Sequence, residues 1–176
     1  MSKFNDLFFK TDSASEPRVL PEITLVLAKN YWKAFTAPSP DITATIQNAN
    51  GEIVGHAAYA VSPLQDRIYF FQIEISPAFR RKGYGLAVLT HLANTYHLPI
   101  TTIKETFAAS SFWATVKKEL ASSVTMTQTL SISEMDDEKS RWSHLQPEIE
   151  RLNATISARH LRGEAYADAV GRGLNE

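Results

Sequence analysis

The stretch IYFFQIEISPAFRRKGYG, Ile68–Gly85, decides the fold because it joins an apolar strand to a glycine-bearing turn and the start of a helix. Ile68–Ile75 is almost continuously apolar and rich in aromatic and β-branched residues, as expected of a central strand covered on both faces. Pro77 closes that strand, and Leu86–Tyr96 repeats apolar residues at helical spacing. We therefore predict a strand, a tight turn and a helix in direct succession.

The turn combines positive charge with glycine at a fixed spacing. Arg80, Gly83 and Gly85 form the pattern Arg-x-x-Gly-x-Gly, with Arg81 and Lys82 between them. The first amides of a helix have no intrahelical acceptor, glycines let a ligand approach the backbone, and cationic side chains attract anions. Such a device binds phosphate, although turns with a solvated basic rim show the same spacing.

Upstream of this stretch, the sequence predicts an N-terminal arm over residues 1–20 and then an amphipathic helix. From Pro21 onward, apolar residues recur at helical spacing as far as Phe35, and Pro38 ends the run.

A β-hairpin is predicted between this helix and the deciding stretch. Apolar residues alternate with polar ones from Ile42 to Gln47, and Asn50-Gly51 supplies the positive-φ pair of a tight hairpin turn. The second strand of the hairpin is expected at Ile53–Val61.

Downstream, the pattern predicts further strands and helices in alternation. A short strand is expected at Ile100–Lys104, a helix from Ala108 to Leu120 and another strand at Val124–Ile132. Glu134–His160 is helical in composition, with a break at Pro147, whose ring suits the start of a second helix. The alternation indicates an α/β (α+β) fold.

Composition excludes several classes of function. The 176 residues include no cysteine, so disulfides, thiolate metal sites and cysteine nucleophiles are ruled out. A net charge of −1 and a pI near 6.5 argue against nucleic acid as the partner. The apolar runs are too short to span a bilayer and the first residues show no signal-peptide pattern, so we expect a cytoplasmic protein that does not bind membranes.

The charge balance shifts near Ser133. Residues 1–132 carry a small excess of bases and 133–176 an excess of acids, so we predict a core domain over 1–132 and a helical C-terminal extension over 133–176. Apolar residues between Leu145 and Ile156 are spaced as a buried stripe. The extension is expected to dock on the core or on a second copy of the chain in a homodimer.

The turn and its surroundings resemble the GNAT superfamily of acyl-CoA-dependent N-acyltransferases, whose pyrophosphate-binding motif is Arg/Gln-x-x-Gly-x-Gly/Ala between a central strand and a helix. Arg80, Gly83 and Gly85 match that motif, and the resemblance extends over about residues 21–120. It implies a mixed, mainly antiparallel central sheet, flanked by helices and splayed at the cofactor site. The gap would lie between Ile68–Ile75 and Ile100–Lys104.

The resemblance also implies acetyl-CoA as co-substrate. Ile73 and Ile75 would bind the pantetheine arm and polarise the acyl carbonyl. The coenzyme diphosphate would be held by the backbone amides of Arg81, Lys82, Gly83, Tyr84 and Gly85.

A second family motif, Asn-x-x-Ala-x-x-Leu/Phe-Tyr, is matched in part. Ala109 and Phe112 fit, while Thr106 stands where the family often has a coenzyme-contacting Asn. Trp113 replaces the Tyr that often protonates the departing thiolate. Phe112 and Trp113 are either a wall beside the pantetheine or part of the core.

Without that Tyr, the proton for the thiolate would come from solvent or from another hydroxyl, such as that of Tyr84 or Tyr69. The alternative is that catalysis has been lost.

Two carboxylates are candidates for the base that deprotonates an acceptor amine. Glu74 interrupts an apolar strand, and its alternative role is a strand-end residue in water or an ion pair with Arg67 or Lys104. Glu105 follows the next predicted strand, and its alternative role is an acid at a helix start. The histidines show no metal-ligand spacing, so no metal site is predicted.

Three functions follow from these patterns. The first is an N-acetyltransferase acting on a primary amine of a small molecule or protein. The second is a catalytically silent module that binds coenzyme A or another partner, which the Trp113 substitution favours. The third is an acetyltransferase acting on aminoacyl-tRNA or nucleic acid, which would want a basic groove.

Overall fold

The structure is a computed structural model that describes residues 18–29 and 41–165. These residues form a five-stranded sheet with helices packed against it. The strands are β1 (Ile23–Lys29), β2 (Ile42–Asn48), β3 (Ile53–Val61), β4 (Ile68–Ile75) and β5 (Ile100–Thr102). The α-helices are α1 (Tyr84–Tyr96), α2 (Ser110–Glu119), α3 (Ile132–Glu138) and α4 (Gln146–Leu161). Short 3-10 helices lie at Pro77–Phe79, Phe107–Ala109 and Lys139–Leu145.

The sheet is mixed and mainly antiparallel, as the family resemblance implied. Its spatial order is β1-β2-β3-β4-β5, in which the first four strands pair antiparallel with their neighbours and β5 runs parallel to β4. A parallel pair needs a crossover connection, and α1 provides it. The predicted α/β (α+β) class is therefore confirmed.

The helix predicted from Pro21 is wrong over its described part. Ile23–Lys29 is the strand β1, which pairs with β2 from Ile23↔Asn48 to Lys29↔Ile42. Ile23 and Leu25 pack against the core while Thr24 and Val26 are exposed, so a two-residue period overrides the helical spacing. Residues 30–40 and the arm before Arg18 lie outside the described part of the chain.

The β2–β3 hairpin forms where it was predicted. Gly51 has φ +80°, and the side-chain carbonyl of Asn48 accepts hydrogen bonds from the Asn50 and Glu52 amides at 3.0 Å. Glycine adopts this left-handed conformation without a steric penalty, which explains Gly51. Asn50 does not have a positive φ, so the predicted positive-φ pair is wrong at that residue.

A β-bulge divides β4 into two halves. Ala58 pairs with Gln72 and Tyr59 with Phe70, so Phe71 is an extra residue without a partner in the register. Only Ile68–Phe70 is buried on both faces; beyond the bulge, exposed Gln72 and Glu74 alternate with half-buried isoleucines. The expectation of a strand covered on both faces along its whole length is therefore wrong.

The strand predicted at Val124–Ile132 is also wrong as a continuous element. This segment runs beside β5 through two isolated parallel bridges, Ile100↔Met126 and Ile103↔Leu130, and α3 begins at Ile132. Between the bridges, threonine hydroxyl oxygens approach those of β5, with Thr127 and Thr101 2.6 Å apart and Thr129 and Thr102 2.8 Å apart. Backbone hydrogen bonds accompany these contacts, from the Thr127 amide to the Ile100 carbonyl and from the Leu130 amide to the Thr102 carbonyl, each at 2.9 Å.

The core consists of two clusters on opposite faces of β4. The larger one packs α1 and α2 against the sheet through residues such as Ile46, Phe70, Leu89 and Val116. The smaller one joins the C-terminal helices to the other face through Tyr69, Ile103, Met135 and Trp142. Burial of these side chains is the main driving force that holds the extension on the sheet.

An ion-pair network borders the smaller cluster. Arg141 donates to Glu138 at 2.8 Å and also bonds Asp66, and the Tyr69 hydroxyl donates to Glu138. Arg67 pairs with Asp66 and Glu138 at 3.5 and 3.8 Å. The network thus ties the β3–β4 loop and β4 to the first helices of the extension.

Across residues 18–29 and 41–165, no helix has the length and apolar character needed to cross a membrane.

Candidate active site

A pocket of about 750 Å³ lies where the turn, the end of β4 and the start of α2 meet. Its size falls within the roughly 300–1,000 Å³ usual for small-molecule sites. Arg18 and three segments line it: residues 73–75 of β4, residues 79–86 of the turn and α1 without Lys82, and residues 106–115 around α2. The lining residues of the last segment are Thr106, Ala108, Ala109, Ser111, Phe112 and Thr115.

The pocket begins where the sheet splays. β4 and β5 pair only from Ile68↔Ile100 to Phe70↔Thr102, and the last bond between them runs from the Ile103 amide to the Phe70 carbonyl. Beyond that bond, no described strand covers the second half of β4 on this side. A gap therefore opens beside Ile73–Ile75.

The backbone of β4 turns polar groups toward this gap. The Ser76 amide bonds the Val54 carbonyl of the β3 side at 2.9 Å. In an antiparallel pair the bonded residues alternate, so the peptide groups of Ile73 and Ile75 point away from β3. The Ile75 carbonyl is one of these groups, and it accepts a 2.8 Å hydrogen bond from Arg80 Nε.

The start of α1 presents free amides to the same pocket. Gly83 is the N-cap residue with φ +93°, and the first helical bond runs from the Ala87 amide to the Gly83 carbonyl. The amides of Tyr84, Gly85 and Leu86 precede that bond and have no intrahelical acceptor, and all three residues line the pocket. This arrangement suits an anion.

The basic residues of the turn differ in position. Arg80 and Arg81 line the pocket, and Arg81 has φ +62°. Lys82 does not line it, and its Nζ lies 5.3 Å from the centre of the Phe79 ring. Sequence reasoning missed Arg18, whose Nη2 donates to the Arg81 carbonyl at 3.0 Å, because no pattern near it signals a ligand.

Glu74 lines the pocket and is exposed, so it does not lie in an apolar environment. It pairs across the strands with His56, whose Nδ1 lies 3.4 Å from the Thr45 hydroxyl. Side chains alternate along a strand, so Glu74 projects from the sheet face opposite Ile73 and Ile75. Arg67, the partner considered for it, is paired with Asp66 and Glu138 instead.

Glu105 is not among the pocket-lining residues. It accepts hydrogen bonds from the Thr102 hydroxyl at 3.0 Å and the Thr129 hydroxyl at 2.6 Å. These bonds tie β5 to the segment beside it, which is a structural role.

The two aromatic residues at the start of α2 separate. Phe112 lines the pocket, but Trp113 is buried and packs edge-to-face against Phe70 with ring centroids 6.1 Å apart. Of the two readings weighed for this pair, Trp113 therefore belongs to the core. Thr106 also lines the pocket.

The two candidate hydroxyls for protonating the thiolate, those of Tyr84 and Tyr69, lie in different places. Tyr84 lines the pocket beside Phe79. Tyr69 is buried on the other side of the sheet, where burial and its hydrogen bond to Glu138 raise its pKa. Tyr84 is thus the better placed of the two.

No three His, Asp or Glu side chains come together as a metal site in the described ranges.

Comparison with known proteins bears on this geometry. A family model described as "Acetyltransferase (GNAT) family" matches residues 6–98, slightly more than half of the chain. That match includes β4, the turn and α1, and it ends before Thr106 and α2. Among curated proteins, none matches the chain significantly.

Among solved structures, one that the comparison matches comes from Deinococcus radiodurans R1 and is described as "a putative acetyltransferase". It shares 10% sequence identity, with a TM-score of 0.39, and the match covers 56% of this chain and 83% of that one.

Proposed function

Because this chain belongs to the acetyltransferase (GNAT) family, we propose that it transfers an acyl group, acetyl in the first instance, from acyl-coenzyme A to a primary amine. One observation carries the proposal: a single pocket joins the free amides of α1 to the gap beside Ile73–Ile75. Coenzyme A combines a diphosphate with an extended amide-bearing arm, and the two parts of the pocket suit these two chemistries.

The residues present fit the coenzyme in three respects. The amides of Tyr84, Gly85 and Leu86 suit the diphosphate, and Arg80 and Arg81 add positive charge. The outward peptide groups of β4 suit the amides of the pantetheine arm, which would add to the open side of β4 as a further strand would. The apolar side chains of Phe79, Leu86 and Phe112 suit its hydrocarbon parts.

Acyl transfer requires the acceptor nitrogen to bond the thioester carbonyl carbon while the carbon–sulfur bond breaks. The amine loses a proton, and the coenzyme sulfur gains one. We assign Glu74 as the base that accepts the proton of the amine, directly or through one water. Glu74 lines the pocket, and its side chain projects from the sheet face opposite the isoleucines. The amides that face the gap from β4 would polarise the carbonyl.

The proton for the sulfur is assigned to the Tyr84 hydroxyl or to solvent. Trp113 supplies no hydroxyl, and it is buried against Phe70. The same observation favours a second candidate function, in which the chain binds coenzyme A without turning it over.

One pair of measurements tests both candidates. Calorimetric titration with coenzyme A should show binding, and acetyl-CoA with a panel of small amines and lysine peptides should release free thiol. Binding with no thiol release above the protein-free rate, for every amine, would favour the silent module. Absence of coenzyme binding would reject both.

A further inference from the structure

Arg18 reaches the phosphate-binding turn from a distant part of the chain. It stands outside the Arg-x-x-Gly-x-Gly pattern, yet it lines the pocket, and its Nη2 bonds the Arg81 carbonyl at 3.0 Å. Its Nε lies 3.6 Å from the point where a Cβ on Gly83 would stand. The guanidinium therefore sits against the turn whose amides face the pocket.

The basic side chains of the turn leave part of the charge of a diphosphate for a further cation to balance. Arg81 lines the pocket, but Arg80 uses Nε to hold the Ile75 carbonyl, and Lys82 does not line the pocket because its ammonium lies over Phe79. A diphosphate carries more negative charge than neutral amides alone can balance, and a guanidinium offers planar, paired donors for phosphate oxygens.

The second contact of Arg18 is one that a phosphate could replace. Its Nη1 lies 3.7 Å from Glu119 Oε2, with 42% of the Arg18 side chain and 32% of the Glu119 side chain exposed. Exposed ion pairs at this distance are weak, because water screens them and holding both side chains costs entropy.

We propose that Arg18 is a further phosphate-binding residue for the coenzyme, which exchanges Glu119 for a phosphate oxygen when the coenzyme binds. The inference rests on the proposed function. Because the contact to Arg81 uses a different nitrogen, the guanidinium can keep its place on the turn during this exchange.

The test compares ligands with and without phosphate. Arg18→Ala should weaken coenzyme A binding about tenfold, near the lower end of what a hydrogen bond between charged groups contributes. Binding of acetyl-pantetheine, which has no phosphate, should stay within twofold of wild type. Arg151→Ala is the matched control, since Arg151 pairs with Glu148 on α4, is not a pocket-lining residue and should change neither affinity.

Glu119→Gln separates phosphate binding from a merely structural role. If Arg18 serves the ligand, loss of its competing carboxylate should tighten coenzyme A binding about two- to threefold, as expected when a weak exposed pair is removed. If Arg18 only fastens the turn, Glu119→Gln should weaken binding or leave it unchanged, and Arg18→Ala should weaken both ligands alike. Either result would overturn the inference.

Dephospho-coenzyme A identifies which phosphate Arg18 contacts. An Arg18→Ala effect that persists with this ligand assigns the contact to the diphosphate, and an effect that disappears assigns it to the 3′-phosphate. If wild type binds coenzyme A and Arg18→Ala binds it equally well, only this inference fails. If wild type binds no coenzyme A, the proposed function fails with it.

Discussion

Gly85 and Phe112 are in such close contact that a side chain at residue 85 fits only if the Phe112 ring shifts. A Cβ on Gly85 would stand 2.7 Å from Cε2 of the Phe112 ring and 3.1 Å from Cζ. Real Cβ atoms do not approach another carbon this closely, so the ring would have to move. This contact holds the start of α1 against α2, with the pocket between the turn and both helices.

Gly85→Ala is therefore expected to lower the free energy of unfolding by about 1–3 kcal/mol, as overpacking does. The displaced ring would also enter the pocket and weaken coenzyme A binding. Urea unfolding and calorimetry measure the two effects.

A double-mutant cycle with Phe112→Leu shows whether the contact is the cause. The shorter side chain should remove most of the additional cost of Gly85→Ala. If the two substitutions prove additive, the ring does not set the requirement for glycine.

Gly83 is expected to be essential for coenzyme binding because of conformation and charge together. Its φ of +93° is strained for any side chain, and a Cβ would lie 3.1 Å from Pro21 Cδ. Substitution should therefore cost about 1–2 kcal/mol of stability from the left-handed conformation alone.

The charge effect is isolated by comparing Gly83→Glu with Gly83→Gln, which impose similar strain. Only the carboxylate would repel a diphosphate, so Gly83→Glu should bind coenzyme A much more weakly than Gly83→Gln in calorimetry. Equal affinities of the two variants would contradict the assignment of phosphate to this turn.

The sequence predicts the centre of the fold well because its signals there are local. The Asn-Gly turn, the β-rich run before Pro77 and the glycine-bearing helix start each specify their own conformation. The helix predicted from Pro21 is wrong because Ile23, Val26 and Leu27 fit a helical spacing, whereas pairing with β2 selects a strand. Such pairing depends on distant residues, which local spacing does not encode.

The candidate site also combines residues that local sequence predicts with residues that only the fold brings together. Residues of the turn and the end of β4 line the pocket, with the exception of Lys82, and their contacts with a coenzyme stay a prediction. Glu105 and Trp113 were candidates by their position in the sequence, but tertiary packing commits one to the threonines beside β5 and the other to the core. Arg18 was missed because only the fold brings it to the turn.

Glu74→Gln is expected to lower kcat/KM for the best amine by 10²–10⁴-fold, the range for removal of a general base. Binding of coenzyme A should change little, because the amide keeps the size and position of the side chain. Assays of thiol release measure kcat/KM, and calorimetry on the same preparation measures the affinity for coenzyme A.

Glu105→Gln is the matched control for Glu74→Gln. It alters hydrogen bonds to Thr102 and Thr129, so it should affect stability more than turnover. Full activity of Glu74→Gln at neutral pH would remove Glu74 from the reaction.

Arg141→Ala is expected to loosen the C-terminal extension. Arg141 is bonded to both Asp66 and Glu138, and its loss leaves two partly buried carboxylates close together without that partner. Hydrogen bonds to charged groups contribute about 1.5–3 kcal/mol, so a loss of about 2 kcal/mol in unfolding free energy is expected. Arg151→Ala, in an exposed pair with Glu148, should leave the urea midpoint nearly unchanged, because water screens exposed pairs.

The same network predicts a dependence of stability on acid. Burial raises the pKa of Asp66 and of Glu138. This effect is outweighed by hydrogen bonds, which Asp66 accepts from Ser62 and Arg141 and Glu138 accepts from Tyr69 and Arg141. The pKa of Asp66 therefore lies below its ordinary 3.8, and that of Glu138 lies below its ordinary 4.5.

A carboxylate with a depressed pKa in the folded state stabilises the protein above its ordinary pKa and loses that contribution as the pH falls through its folded value. The unfolding free energy of wild type should therefore fall as the pH drops from about 5 through 4 and below. Arg141→Ala should show a smaller fall over the same range, because it has already lost part of the contribution. Urea titrations of both proteins at pH 7, 5, 4 and 3 measure this, and parallel curves would mean that Arg141 does not set the acid response.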